Sequence, residues 1–441
     1  MNAPKLKRVT FRTSRLLDFC SRKELIAQTG HQPDAWPLVA LKELVDNALD
    51  ACEEAGVAPE IEVTVNDTGI TVADNGPGIP ENVVESVLDF SIRVSSREAY
   101  VAPDRGAQGN ALKTILAMPF VLDGEEGRVS ITAGGQRHTI LFNVDAIRQV
   151  PVIEKTSEPT ENLTNGTGFT IHWPDSARSN LEVAKWRFLQ IADDYVWLNP
   201  HLTLRWDWFG EGGTVGATSP DWTKWRPSDP TSPHWYTPQH LERLIAGYIA
   251  HDADTERERT VREFISEFRG LSGSAKQKKV LEATGLARTS LVGLCNGRGV
   301  DRALIGPLLD AMKVNTKPVK PPILGIIGKD HFETRFKTFG CEMDSFQYRK
   351  VQDIDDGVPW VIETAFAWCP DADQRRLITG VNWSPGIINP FRELGRFGKS
   401  LDTVLSQARA DSDEPVILVL HMACPRVEYT DRGKSAVVIE D

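Results

Sequence analysis

The 441-residue sequence contains no run of about 18 apolar residues, so no helix is expected to span a membrane. Its basic start, MNAPKLKRVTFRTSR, does not lead into the apolar stretch of a secretory signal. Cysteine is sparse: Cys20, Cys52, Cys295, Cys341, Cys369 and Cys424 are scattered, with no CxxC and no Cys/His cluster. That spacing argues against a zinc site or a disulfide framework and fits a reducing, cytoplasmic setting. Positive charge is also short, with a net charge of −11, so any nucleic-acid contact needs a local basic surface. What is present is ordinary for a globular protein, 41% apolar and 25% charged, at a length that predicts two to three domains.

The segment LKELVDNALDACEEA has helical spacing from about residue 38 to 55. Leu41, Leu44, Val45, Ala48 and Cys52 fall on one side, and Glu43, Asp46, Asn47, Asp50 and Glu54 form a stripe on the other. A solvated stripe normally interleaves Lys or Arg at i+4 to relieve like-charge repulsion. This one carries none, which points to a divalent metal or a functional partner.

The next stretch, IEVTVNDTGITVADNGPGIP, predicts a hairpin. Ile61, Val63 and Val65 alternate, NDTG turns, and Ile70 and Val72 begin a second strand that ends at Asp74. A buried carboxylate there accepts from an exocyclic amine, and Gly76 and Gly78 let backbone approach a flat ring. After a helix from Glu81 to about Phe90 comes DRGAQGNALK, with Gly106 and Gly109 just before an apolar helix start. Backbone N–H groups at such a start receive phosphate oxygens. Each signal is weak alone, but their order is specific.

Together E-x-x-x-N-x-x-D-A, D-x-G-x-G and G-x-x-G resemble the GHKL (Bergerat) ATPases, and KELVDNALDACEEAGVAPEI and DNGPGIP look most like the B subunit of DNA topoisomerase VI. The resemblance implies an ATP- and Mg²⁺-dependent ATPase. Glu43 would be the general base, Asn47 an oxygen ligand of Mg²⁺, and Asp74 the partner of the adenine amine. Asp50, Gly76 and Gly78 would join the ATP site, and Gly106, Ala107, Gln108, Gly109 and Asn110 would wrap the triphosphate. These roles suit a hard cation and a phosphoryl transfer that depends on positioning and charge neutralisation. Asn110-Ala111 depart from the family pattern of an apolar residue and a further glycine. Lys113 is either a phosphate contact or a surface helix lysine. In GTGFTIHW, a threonine beside the base is implied, at Thr167 or, by register, Thr170.

The fold class expected is α+β and multidomain: a two-layer GHKL α/β sandwich over residues 1–232, a helical helix-two-turn-helix-like insert over 233–316, and a truncated transducer-like β-α-β domain over 317–441. VTFR, VSITAG, HTILFNV and LTLRWDW read as strands, and LEVAKWRFLQIADDYVWL as a helix. The tryptophans of DWTKWRPSDPTSPHWYTP read as core and linker packing rather than base stacking. Residues 271–320 hold nine Lys/Arg against three acids. Lys276, Lys278, Lys279, Arg298 and Arg302 are therefore candidates for double-stranded DNA contact, against the plainer reading of a solvated basic module. TGLARTSLVGLCNGRG also reads like a helix-turn-helix. TKPVKPP predicts a stiff joint. Beyond it ILGIIG, WVIETAFAW, RRLITGVNWSP and PVILVLHMACPRVEYT read as strands, with GKSLDTVLSQARA as a helix between the last two. Asn382, Pro385 and the ending around His421 match transducer wording, which implies Lys434 as a switch lysine that reaches the terminal phosphate.

With the sequence ending seven residues after Lys434, the expectation is a chain without the long helical stem of topoisomerase VI B subunits, an acidic Toprim cluster or a tyrosine-bearing winged helix. The expected function is thus the ATPase subunit of a type IIB topoisomerase-like machine, an ATP-dependent homodimer working with a separate DNA-cleaving subunit or nuclease. The alternative is an ATP-controlled DNA clamp or sensor without topoisomerase activity, as in antiphage or antiplasmid defence or recombination. A histidine kinase lacks support because no phosphoacceptor segment precedes the pocket. A MutL-type repair protein is disfavoured because MutL lacks the helical insert.

Overall fold

The computed structural model describes residues 19–88, 100–105, 111–145, 150–161, 165–254, 256–296, 299–392, 399–430 and 436–438. The VTFR strand expectation lies outside them. A short helix α1 (Arg22–Thr29), capped by the Ser21 hydroxyl, precedes α2 (Trp36–Ala55). Pro37 sits in the first turn of α2, where a missing N–H costs no hydrogen bond. Gly56, at φ 66°, ends the helix by donating its N–H to Cys52 O and Glu53 O. The apolar side read from the sequence is buried.

The hairpin β1 (Glu60–Asn66) and β2 (Gly69–Asp74) forms as expected, with Ile61 opposite Asp74. It is followed by α3 (Glu81–Leu88), α4 (Ala111–Asp123), β3 (Gly127–Ala133), β4 (Gln136–Asp145), β5 (Val150–Pro159), β6 (Thr167–His172), α5 (Arg178–Leu198), β7 (Thr203–Trp208) and β8 (Glu211–Val215). These strands make one eight-stranded sheet in the order β5-β4-β3-β6-β2-β1-β7-β8. Every pairing is antiparallel except β1 with β7. Helices α2, α4 and α5 pack against β2, β3 and β7, giving the two-layer sandwich. The edge strands β5 and β8 carry mostly exposed side chains, so their apolar alternation is too faint to read from sequence.

Residues 238–314 hold α6 (Pro238–Asp254), α7 (Val261–Ser266), α8 (Ser274–Thr284), the two-residue strands β9 (Cys295–Asn296) and β10 (Gly299–Val300), and α9 (Arg302–Val314). A reciprocal Thr260/Glu263 capping box starts α7. The expected helix-turn-helix over residues 284–299 does not form. Gly285, at φ 71°, stops α8, Val292–Leu294 is a single 3-10 turn, and β9 pairs with β10 where a second helix was expected. Leu286, Leu291 and Leu294 are buried beneath this turn, which gives it helix-like apolar spacing without a helix. Trp225 and Trp235 are core residues with ring centroids 4.8 Å apart, as expected of packing tryptophans.

The C-terminal part contains α10 (Lys329–Thr338), β11 (Glu342–Asp355), β12 (Val358–Trp368), β13 (Arg376–Val381), β14 (Ser384–Pro385), α11 (Leu401–Gln407) and β15 (Val416–Ala423). The sheet order is β11-β12-β15-β13-β14, with β13 and β15 parallel on either side of α11 in the chain. ILGIIG is not a strand. Pro321–Leu324 is a 3-10 turn, and the buried Glu363 carboxylate accepts the Ile327 and Gly328 N–H groups at 2.9 and 2.8 Å, taking the place of a strand partner. Cys341 and Cys369 form a disulfide, against the expectation from spacing. Cys341 directly precedes β11 and Cys369 directly follows β12, and the pairing of Glu342 with Trp368 brings together cysteines that lie 28 apart in sequence. No helix among the described residues is long and apolar enough to cross a membrane.

Candidate nucleotide site

The end of β2, the start of β6 and one side of α2 enclose a recess of about 390 Å³, part of it open to solvent. Asn47, Ala48, Ala51, Asp74, Thr167 and Phe169 line it with Leu44, Val72, Ile79 and Leu112. Two larger recesses, of about 1150 and 1120 Å³, have walls with several carboxylates and include neither Asp74 nor Thr167. Chemistry rather than size therefore selects the smaller one. Its walls are apolar and its polar groups few, the composition that suits a flat aromatic ring.

Asp74 is 8% exposed, and its Oδ1 accepts the backbone N–H of Gly76 at 2.8 Å and of Thr167 at 3.3 Å. Burial raises its pKa, and these two bonds only partly oppose the rise. Oδ2 takes no hydrogen bond among the described residues, which leaves an acceptor for an exocyclic amine. Thr167 thus lies at the recess, whereas Thr170 is hydrogen-bonded to Thr71 across the sheet at 3.0 Å. Gly166 escaped the sequence reading. At φ 85°, a Cβ there would stand 1.7 Å from Asp74 O. A Cβ on Gly76 would come within 2.8 Å of Asp74 Oδ1 and 3.4 Å of Cys52 Sγ. The close approach of these glycines holds the carboxylate in place, and the first glycine of GTG was the signal for Gly166.

Glu43 and Asn47 stand one turn apart on α2, and the Asn47 Nδ2 donates to Glu43 O at 2.8 Å. The amide oxygen of the exposed Asn47 fits a magnesium ion that takes its other ligands from phosphate and water. Among the described residues no cluster of three or more His, Cys, Asp or Glu side chains could hold a metal by itself. Lys113 is 2% exposed in α4, so it is not a surface lysine. Gly106, Ala107, Gln108, Gly109, Asn110, Arg298 and Lys434 lie outside the described residues.

The acidic stripe of α2 is not one site. Asp46 is buried and paired with Lys42 at 2.9 Å, four residues earlier, and it also accepts from Tyr195 and Ser384 hydroxyls at 2.8 Å. Burial raises the Asp46 pKa, but Lys42 and Arg105 outweigh it and leave the carboxyl below its usual range. Asp50 does not line the recess; it faces Arg105, 2.8 Å away. The fully buried Arg105 guanidinium also forks onto both oxygens of Glu53, at 2.7 and 2.6 Å, and onto Asn199 Oδ1 at 2.6 Å. Lys224 and His201 complete the set around Glu53 at 2.8 and 2.9 Å. Burial opposes the charge on both Glu53 and Arg105, yet their pairing prevails. Glu53, with Lys224 adding to the field, is held well below its ordinary value, and Arg105 is held above its own. The missing cations are thus Lys42, at i−4, and Arg105, from a distant loop that helical periodicity cannot reveal.

On the basic module Lys276, Lys278 and Lys279 are exposed on α8, with Lys278 3.7 Å from Glu282. Arg302 is matched by Glu242 of α6 at 2.8 Å.

Residues 36–177 match the family described as histidine kinase-, DNA gyrase B-, and HSP90-like ATPase. Residues 36–177 therefore form a GHKL-type ATPase domain. Over most of its length it is similar to the B subunit of type 2 DNA topoisomerase 6. It is 24% identical to that of Archaeoglobus fulgidus across 91% of this chain and 66% of the relative, and 25% identical to that of Metallosphaera sedula across 90% and 75%. The Natronomonas pharaonis protein is 31% identical, over 35% of this chain and 20% of its own. Among solved structures, the ATPase region of Saccharomyces cerevisiae topoisomerase II aligns with a TM-score of 0.41 at 10% identity, covering 91% of this chain and 76% of that one. The gyrase B subunit of Myxococcus xanthus aligns at 0.40 and 12% identity, covering 96% and 88%.

Proposed function

We propose that this chain is the ATP-binding and ATP-hydrolysing subunit of a type IIB topoisomerase-like DNA machine, a homodimer closed by ATP that works with a separate DNA-cleaving partner. The observation that supports it most is Asp74, buried and the one carboxylate among the described residues that line the apolar recess, which Asn47 also lines. Asp74 holds the adenine amine, with Thr167 and Gly76 fixing its orientation. Asn47 contributes an oxygen to Mg²⁺, which neutralises phosphate charge when bound. Glu43, one turn away, takes the proton of the attacking water. Asp50 belongs with Arg105 and acts on the site only through the pitch of α2. The phosphates lie toward the start of α4, whose first N–H groups and Lys113 follow the family's phosphate-binding stretch in sequence. Similarity to topoisomerase 6 B subunits across 91% of the chain supports the DNA-machine context. The exposed lysines of α8 supply its DNA contact.

The test is light scattering with and without a non-hydrolysable ATP analogue, alongside Glu43→Ala. A doubling of mass with the analogue, and a variant that binds ATP without turnover, are expected. An unchanged mass refutes the ATP-closed dimer, and normal turnover by Glu43→Ala refutes the assigned base. ATP-dependent relaxation of supercoils with a co-purified cleaving partner separates a topoisomerase from an ATP-controlled clamp.

A further inference from the structure

The turn between β13 and β14 has a conformation that its residues do not favour. Val381 pairs with Ser384, leaving a two-residue turn in which Asn382 and Trp383 both have positive φ, 50° and 63°. Glycine is the residue such turns select, asparagine is tolerated, and a bulky aromatic is an outlier. The Trp383 side chain is fully buried, with Lys224 Nζ 5.0 Å from its ring centroid and the His421 ring 5.7 Å away. Its backbone N–H donates to His421 Nε2 at 3.1 Å. Persistent strain of this kind requires surroundings that hold it, and it marks a place to look for function.

The turn is held by its own sheet, through His421 and Cys424, and also by residues of α2, the C-terminal end of α5 and the loop at Asp104. Ser384 Oγ donates to the carboxylate of Asp46, 2.8 Å from each oxygen, and also takes a hydrogen bond from Lys42. Asp46 lies between Glu43 and Asn47 on α2. Trp383 O accepts from Asn199 Nδ2 at 2.9 Å, and Asn199 Oδ1 accepts from Arg105, which grips Asp50 and Glu53 further along the same helix. Asn382 Nδ2 donates to Asp104 O at 3.2 Å and to Cys424 O at 3.0 Å, while its Oδ1 accepts the Cys424 N–H at 2.9 Å. Ser384 therefore touches α2 directly, Trp383 reaches it only through Asn199 and Arg105, and Asn382 holds the loop at Asp104.

We propose that Asn382, Trp383 and Ser384 are positioning residues for ATP hydrolysis: through Asp46 and the Arg105 cluster they set the pitch of α2, and hence where Glu43 and Asn47 stand over the bound nucleotide. The inference rests on the nucleotide reading above. It differs from a switch-lysine contact because no turn residue needs to touch phosphate. Binding of the base, which depends on Asp74 and the recess walls, is separate from the alignment of Glu43. Loss of the turn's polar bonds therefore lowers kcat while leaving ground-state binding nearly intact.

The experiment uses the full chain with Ser384→Ala, Ser384→Thr and Asn382→Gly. Glycine accepts the positive φ at position 382, so that variant removes the side-chain bonds while keeping the turn. Each is measured for kcat, KM, affinity for a fluorescent non-hydrolysable ATP analogue, and melting temperature. Ser384→Ala and Asn382→Gly are expected to lose about tenfold in kcat with KM and analogue affinity within about threefold, and Ser384→Thr, which keeps the hydroxyl, to recover turnover. Wild-type kcat in both Ser384→Ala and Asn382→Gly overturns the proposal. So does a loss that Ser384→Thr does not recover, or that follows melting temperature alone. If Asn382→Gly does not fold, the two Ser384 variants decide the matter. If the wild-type chain does not bind the analogue, the nucleotide reading fails and this inference falls with it, whereas normal wild-type turnover with unaffected variants overturns this inference alone.

Discussion

Replacing Asp74 with asparagine isolates one interaction. In the native chain Oδ1 is engaged by the Gly76 and Thr167 N–H groups, and a side-chain amide oxygen can keep both bonds. The change falls on the other atom: Oδ2, an acceptor, becomes an NH₂ donor facing the amine of adenine. A charge-assisted hydrogen bond to a ligand is worth about 1.5–3 kcal/mol, so ATP affinity should fall about 10- to 150-fold. Melting temperature without ligand should hold or rise, because the substitution removes a charge that burial disfavours. The assay is calorimetric titration of wild type and Asp74→Asn with ATP, GTP and a purine triphosphate lacking the exocyclic amine. For the wild type, affinity should decline on acidification earlier than an exposed aspartate would dictate. The raised pKa means that Asp74 takes up its proton at a higher pH, and a protonated carboxyl is a poorer acceptor. Equal affinity of wild type for ATP and the amine-less analogue, together with an Asp74→Asn affinity within about threefold of wild type, would refute the assigned role.

Arg105→Ala leaves Glu53 and Asp50 buried with fewer cations, and breaking a buried pair costs about 3–5 kcal/mol. Urea unfolding should show a loss of that size, and Lys224 and His201 should keep Glu53 from costing more. Because the folded Glu53 pKa lies below the ordinary 4.5, its stabilisation is present above that pH and is lost as pH falls, so Glu53→Gln should flatten the acid limb of the stability profile. Thiol titration of the denatured, unreduced chain should find four reactive cysteines (Cys20, Cys52, Cys295 and Cys424) and six after reduction; six before reduction would contradict the Cys341–Cys369 bond. Replacing Lys276, Lys278 and Lys279 with alanine should weaken duplex DNA binding. It should also lower the slope of log K against log salt by roughly 0.9 for each phosphate no longer neutralised, and an unchanged slope removes α8 from the DNA surface.

Local signals carried much of this architecture. Helix α2 and the β1–β2 hairpin were legible because apolar spacing, the NDTG turn and the glycines all act within a few residues. Part of the Asp74 environment was legible for the same reason, since Gly76 lies two residues on, whereas Thr167, 93 residues away, was indicated only by the resemblance to the family. The Asp46 and Asp50 environments were not. Their counter-charges arrive through Lys42 on the preceding turn and through Arg105, 55 residues beyond Asp50, and an acidic stripe looks the same whether it faces a metal or a buried guanidinium. The misread helix after Gly285 and the misread strand at ILGIIG share a cause. Each is an apolar segment buried by tertiary packing and satisfied by turns or by the Glu363 carboxylate, and apolar spacing reports burial before it reports conformation. The disulfide was hidden by the same non-local pairing that builds β11 against β12.

The link that carries Trp222 and Trp225 has a wider meaning. Trp225 N–H donates to Leu324 O at 2.8 Å, and the Trp222 indole N–H reaches Ile326 O at 2.6 Å. The polypeptide therefore leaves for the α6–α9 region and comes back to nearly the same point, like a loop of thread closed by a knot. A detour whose two ends already touch can be lengthened, shortened or exchanged without shifting the register of either sheet. The α6–α9 region can thus change in length while the Asp74 recess and the strained turn between β13 and β14 keep their places.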